Sequence, residues 1–349
     1  MEEGTEASLN SATLQRLSIR GPLKMSQLIN IADLPNFYVI GQANTEAADS
    51  DRINMRMVFG NSVSLAVAEC EPGYHPAPQI HNSEQINYVA EGELWVYVDG
   101  VAYHLEQGDA IRIPAMKMHW MWNRSTSKCV FYESSCPPLV GDSAVRDSVC
   151  GLFDDGEPRA VGDYPRVVWL AEKYAQEAEK RNDPPTEGPL IVRAAGLGTS
   201  VHSGAIGAAA SGKLTSKCVH GLAHNMTIAT RKGGYHSVPH IHDAEQIHFL
   251  VKGEIKIFTP ENGFDCKEGD FNIVSRNVPH WALVPTDDEN ILLQAHSPVL
   301  GSAANRKALL TDQERAFPIT TVFNMTPWGV DEIMKVEEVF TNHMRRSDG

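Results

Sequence analysis

Residues 234–248 read GYHSVPHIHDAEQIH, and residues 73–87 read GYHPAPQIHNSEQIN. The second-copy string holds four histidines in fifteen residues, whereas the first-copy string has Gln79 where the second has His240. Aligning His75 with His236 sets an offset of 161, and the offset holds far beyond the two strings. It carries Glu84-Gln85 onto Glu245-Gln246, Gly92-Glu93 onto Gly253-Glu254 and Gly108-Asp109 onto Gly269-Asp270. Further on it carries His119-Trp120 onto His280-Trp281, Pro137 onto Pro298 and Leu139 onto Leu300. A constant, ungapped offset over more than sixty residues makes the chain two copies of one unit.

Each copy reads as short strands. ELWVYVDG (93–100) and EIKIFTPENG (254–263) are β-rich runs ending in turn residues, and a Gly-Asp turn opens DAIRIP (109–114) and DFNIVS (270–275). No long helical pattern interrupts 55–135 or 216–297, so each copy is expected to be an all-β sandwich or small barrel. Between the copies, VVWLAEKYAQEAEKR (167–181) has helical composition with a stripe through Trp169, Tyr174 and Ala178, and RNDPPTEGP (181–189) breaks it. A second helix is expected near the C-terminus, with Thr326 as cap, Pro327 at the first position and Ile333, Val336, Val339 and Phe340 on one face. The domain reading is 1–160 with its motif at 73–123, a helix and linker at 161–189, and 190–349 with its motif at 234–284.

At 349 residues the chain is long enough for two sizeable cores. A formal net charge of −14 argues against nucleic acid or an anionic membrane as partner. The opening MEEGTE lacks the basic start and apolar run of a signal peptide, and no run approaches the length of a membrane span. The six cysteines are scattered with no CxxC pair, as for reduced structural thiols, and a cytoplasmic location is expected.

The histidine spacing points to a metal. On an extended strand alternate side chains share a face, so His240 and His242 point to one side. Gln246 and His248 are likewise two apart, and His280 follows a Gly-Asp turn that could return a strand beside them. Imidazoles from two strands suit iron, nickel, copper or zinc, whereas an all-oxygen set would suit magnesium or calcium.

Gly234, His240, His242, Gln246 and Gly253, followed by Gly269 and His280, make a pattern that resembles the two motifs of the cupin superfamily. The resemblance covers both repeats and implies two cupin barrels (double-stranded β-helix, or jelly roll) in one chain, with a few peripheral helices. It implies a metal held by His240, His242, Gln246 and His280. The usual pattern has Glu at the third position, and the His-His-Gln-His set is similar to that of the bicupin isomerase of bacilysin biosynthesis. In the first repeat the same positions are Gln79, His81, Gln85 and His119, a weaker second set because an amide replaces one imidazole. Fe(II) is the expected metal, with nickel, cobalt, manganese or zinc as alternatives.

A neutral ligand set leaves a divalent metal its full +2 charge, which favours an anionic, chelating substrate and polarises a carbonyl. His248 is the candidate catalytic proton carrier, and Asn87 stands in its place in the first copy. Trp281 and MKMHWMWN (116–123) are candidates for an aromatic pocket wall. Glu84 and Glu245 alternate away from the barrel interior and are expected to be solvated. His75 and His236 lie on the approach to the strand and are not expected to act. GAAASGKL (207–214) falls short of a phosphate-binding loop because Leu214 stands where Ser or Thr is needed.

The leading expectation is a metal-dependent bicupin enzyme: a non-haem Fe(II) dioxygenase acting on a small phenol, enol or 2-oxo acid. A metal-dependent isomerase or lyase is the alternative, and a non-catalytic binding or storage cupin the third reading. A small-molecule partner is expected, and homo-oligomerisation is left open.

Overall fold

The structure is a computed structural model that describes residues 26–35, 52–74, 76, 83–99, 101–115, 117, 119–138, 190–202, 212–237, 244–259, 262–298 and 345–346. The first repeat contributes β2 (Ile53–Phe59), β3 (Ser64–Cys70), β4 (Glu84–Glu91), β5 (Glu93–Val98), β6 (Val101–Glu106), β7 (Ala110–Ile113), β8 (His119–Trp122) and β9 (Cys129–Cys136). The second contributes β12 (Leu214–His220), β13 (Asn225–Arg231), β14 (Glu245–Lys252), β15 (Glu254–Thr259), β16 (Asn262–Lys267), β17 (Asp270–Val274), β18 (Trp281–Leu283) and β19 (Asn290–Ser297). Four short strands complete the set: β1 (Ser26–Asn30), β10 (Ile191–Val192), β11 (Thr199–His202) and β20 (Arg345–Arg346). The helices expected at 167–181 and after Thr326 lie outside the described residues.

Each repeat folds a large sheet over a small one. The large sheets run β10-β7-β4-β9-β3-β2 and β1-β17-β14-β19-β13-β12-β11, and the small ones β6-β5-β8 and β18-β15-β16-β20. The Gly-Asp turns that sequence marked need Gly108 and Gly269 at φ of 90° and 89°, where a side chain would be strained. Alternation along the large sheets then gives two apolar faces with different neighbours. Ala66, Ala68, Val89, Ile111 and Phe131 turn inward against Leu94 and Val96 of the small sheet and form the first barrel's core. Leu250, Ile255, Ile257, Phe264 and Leu292 do the same in the second.

The opposite faces meet between the barrels. Val58, Leu65, Val67, Ile86 and Tyr132 pack with Val219, Met226, Ile247, Phe249, Phe271 and Leu293 in one cluster. The four sheets are therefore stacked, small, large, large, small, with a barrel interior in each outer gap and an apolar seam in the middle. Strands also cross the seam: β1 pairs antiparallel with β17 of the second barrel, and β10 with β7 of the first. The exchange is repeated in detail, since Asn30 Nδ2 donates to Asp270 and Arg193 pairs with Asp109 at 2.6 Å.

Glu84 and Glu245 do face away from their own barrel interiors, but they are not solvated. Both are buried in the seam, 7% and 2% exposed. The Glu245 carboxylate accepts from the amides of Asn61 (2.9 Å) and Ser62 (2.7 Å) and from the Ser62 hydroxyl (2.8 Å). Glu84 accepts from the amides of Leu222 (2.7 Å) and Ala223 (2.7 Å), the same loop of the other copy. Alternation told which side of the strand they leave, not that a second sheet covers that side.

Candidate metal and substrate site

Across the large sheet of the second barrel, inward side chains fall into rows set by strand register. His220, Asn225, His296, Gln246 and Val274 lie side by side across β12, β13, β19, β14 and β17. The next row is Cys218, Thr227, Gln294, His248 and Asn272. The same rows of the first barrel are Phe59, Ser64, Ser135, Gln85, Ile113 and then Met57, Ala66, Glu133, Asn87, Ile111. Every one of these pairs is related by the offset of 161. Gln85 and Gln246 are shared, while around them the second barrel has His220, Cys218, Asn272 and Thr227 where the first has Phe59, Met57, Ile111 and Ala66.

The sequence motif could not find His220, Asn225 or His296, which come from strands outside it. Comparing the copies position by position would have flagged them, because Phe59→His220 and Ser135→His296 are changes between otherwise matching strands. In the structure Asn225 Nδ2 lies 3.3 Å from His296 Nδ1, and Cys218 Sγ lies 3.7 Å from His220 Nδ1. An Nδ2 donor at His296 Nδ1 leaves the proton of that neutral ring on Nε2, from which it can donate.

Among the sequence candidates, Gln246 and His280 are both buried, the first on β14 and the second immediately before β18. His280 Nδ1 lies 2.9 Å from the Val278 carbonyl. A carbonyl only accepts, so Nδ1 carries the proton and Nε2 the lone pair, which is how metal-binding imidazoles are set. His119 repeats this bond to the Lys117 carbonyl at 2.8 Å, and burial drives its pKa down to about 4.

Gln246 meets His248 directly, with Oε1 2.9 Å from His248 Nε2. Its Nε2 is buried without a hydrogen-bond partner among the described residues. A half-turn of the amide exchanges the two atoms: Nε2 then donates to His248, and Oε1 takes the unpartnered position, where it could ligate a cation. In that arrangement His248 orients Gln246 through its own tautomer, a role different from the proton carrying expected of it. His248→Gln, whose amide can still accept from Gln246, is expected to keep the metal, whereas His248→Phe should weaken it about tenfold, as for loss of an outer-shell partner. Metal titration of the two variants checks this; equal affinities would remove the orienting role.

The donor chemistry of these residues fits a divalent metal of imidazole preference. His240 and His242, and in the first barrel Gln79 and His81, lie outside the described residues. Asp270 is the one carboxylate on the inward register of the second barrel's described strands. It is committed at the far end, to Asn30 Nδ2 and the Lys267 amide. In the first barrel Gln85 Oε1 is buried without a partner among the described residues. Beside it, Gln85 Nε2 reaches Glu133 at 3.4 Å, and burial raises that carboxyl to about 7.

Trp281 is fully buried but turns to the outer side of β18, where it stacks on Phe258 with centroids 5.5 Å apart. Trp120 stacks on Tyr97 in the same way at 4.8 Å. Both belong to packing on the outer face of the small sheets.

Residues 66–135 match the family model of the cupin domain. Among solved structures, the chain is similar to oxalate decarboxylase from Lactobacillus farciminis, in its formate complex. That match has 13% identity and a TM-score of 0.53, covering 84% of this chain and 94% of the other. It is also similar to a variant of the oxalate decarboxylase OxdC from Bacillus subtilis, at 12% identity and a TM-score of 0.53, over 79% and 78% of the two chains. Both matches extend over the two repeats. The chain has a double-barrel cupin fold. No curated protein matches its sequence. None of its described helices is long and apolar enough to cross a membrane.

Proposed function

We propose that this bicupin is a metal-dependent enzyme of a small organic anion, with His240, His242, Gln246 and His280 holding Fe(II) in the second barrel. The observation that carries the reading is the contrast between the two interiors. Around the shared glutamine, Met57, Phe59 and Ile111 of one barrel are matched by Cys218, His220 and Asn272 of the other, and Ser135 and Asn87 by His296 and His248. A bound divalent metal would supply an electron-rich or Lewis-acidic centre with its full charge, since the four ligands are neutral. The chain's own residues then have distinct tasks. His296 donates from Nε2 to an anionic oxygen, Asn225 holds the His296 ring, and the apolar floor of Leu250, Ile257 and Leu292 excludes water.

The leading reaction is oxidation of a phenol, enol or 2-oxo acid by O2. An isomerase or lyase reaction is the second reading, favoured by neutral imidazoles beside the ligand glutamine that can hold and return a proton. Substrate screening of the iron-loaded protein in an oxygen electrode separates the two. Oxygen uptake stoichiometric with product is expected. Product formed at the same rate without oxygen would replace the oxygenase by the proton-transfer reading, and no turnover of any acid tested, with metal bound, would favour a binding protein.

A further inference from the structure

The two seam glutamates each precede a barrel glutamine: Glu84 stands before Gln85 and Glu245 before Gln246. On a strand the pair points to opposite faces, so the carboxylate grips the other barrel while the amide faces its own interior. We propose that Glu245 is a positioning residue for the metal site: through it the first barrel fixes the place of Gln246. This inference rests on the metal reading above.

The grip is built from both sides. Glu245 receives the Asn61 amide and the Ser62 amide and hydroxyl. Three donors to one buried carboxylate are charge-assisted bonds of the stronger kind. Gly60 makes the approach feasible, because a Cβ there would lie 2.5 Å from a Glu245 oxygen. Its counterpart Gly221 would place a Cβ 2.7 Å from Glu84. Next to the carboxylates, Cys136 Sγ and Ser297 Oγ, again related by the offset of 161, meet at 3.2 Å.

The position of β14 at its first residue is thus set by a loop of the other barrel. Its second residue is the candidate ligand, which has only His248 as a side-chain partner among the described residues. A shift of the strand end would move Gln246 directly. The grip on Glu84 differs: it adds His224, whose Nδ1 lies 3.4 Å from the carboxylate and whose Nε2 meets Ser134 Oγ at 2.9 Å. Burial alone would raise the Glu84 carboxyl, but His224 and the two amides outweigh it and hold it below the ordinary value. The two glutamates therefore serve as each other's control: both carboxylates take two amide donors from a loop of the facing barrel, but only Glu245 adjoins the candidate ligand Gln246 on its own strand.

The test is Co(II) titration of the full chain and of Glu245→Gln and Glu84→Gln, read by affinity and by the visible d–d spectrum, with thermal midpoints alongside. Both substitutions are expected to lower the midpoint. Glu245→Gln alone should weaken stoichiometric Co(II) by about tenfold and change its spectrum, as for other outer-shell changes. Should Glu245→Gln not fold, Ser62→Ala removes one donor to the same carboxylate, and a smaller loss of Co(II) affinity is expected of it. Equal Co(II) affinities in the Glu245 and Glu84 variants, or wild-type affinity in Ser62→Ala and Glu245→Gln alike, would overturn the inference while leaving the metal reading intact. A wild-type chain that takes up no Co(II) would overturn both.

Discussion

Replacing His280 by alanine is expected to strip the tightly bound metal and abolish turnover, while the same change at His119 leaves both nearly intact. The two imidazoles are matched in everything local: both buried, both with Nδ1 bonded to the carbonyl two residues back, at 2.9 and 2.8 Å. A difference between them must come from what else faces each interior. The ligand set proposed for His280 adds His240, His242 and Gln246, whereas the matching first-repeat positions beside His119 are Gln79, His81 and Gln85. One imidazole fewer makes the first set a poorer site for a divalent transition metal. Loss of an outer-shell partner already costs roughly 10- to 100-fold in affinity, so loss of His280, as a proposed ligand, should exceed about 100-fold. His242→Ala against His81→Ala should show the same asymmetry. Metal analysis of the purified variants decides it: about one metal per wild-type chain is expected, none in His280→Ala and one in His119→Ala. Two equally occupied metals, or equal losses from the two substitutions, would show that the first barrel is a second working site.

The fold was largely legible because the repeat made each strand appear twice. The offset of 161 that aligned His75 with His236 also aligns β2 with β12, β3 with β13, β4 with β14 and β9 with β19. Gln246 and His280 were legible because their neighbours in sequence carry the motif. His296 was not, since it lies 50 residues beyond Gln246 and becomes its neighbour only through the register of β14 on β19. Glu133 escaped for the same reason: it faces Asn87 across β4 and β9, and nothing in CVFYESSC marks one carboxylate as buried. Trp281 misled because a large aromatic beside a ligand histidine suits a pocket and a packed face equally, and alternation from His280 decides for the packed face. The glutamates show a further limit. Strand periodicity separates two faces, but in a stacked double barrel both faces are interiors.

The buried pair of titrating groups in the first barrel leads to the second large effect, one that is hidden in the wild-type protein. Glu133 is raised by burial to about 7 from an ordinary 4.5, and His119 is lowered by burial to about 4 from 6.5. Between pH 4.5 and 7 the folded Glu133 keeps a proton that the unfolded chain has lost. Its contribution to stability is therefore present below 4.5 and is lost as pH rises through 7. Between pH 4 and 6.5 the unfolded chain protonates His119 while the folded chain does not. That contribution is present above 6.5 and is lost as pH falls through 4. In the shared window, 4.5 to 6.5, the two slopes have opposite signs, each up to about 1.4 kcal/mol per pH unit. They cancel, so these two groups together should add no net slope to the stability of metal-free wild-type protein there. Glu133→Gln unmasks the histidine, and stability should climb by up to about 3 kcal/mol from pH 4.5 to 6.5. His119→Gln unmasks the carboxyl, and stability should fall by a similar amount over the same interval. Guanidinium midpoints across that window, on chelator-treated protein, read both slopes. If both variants kept the wild-type slope, neither group would be buried with its charge suppressed, and the burial of Glu133 and His119 in the first barrel would be wrong.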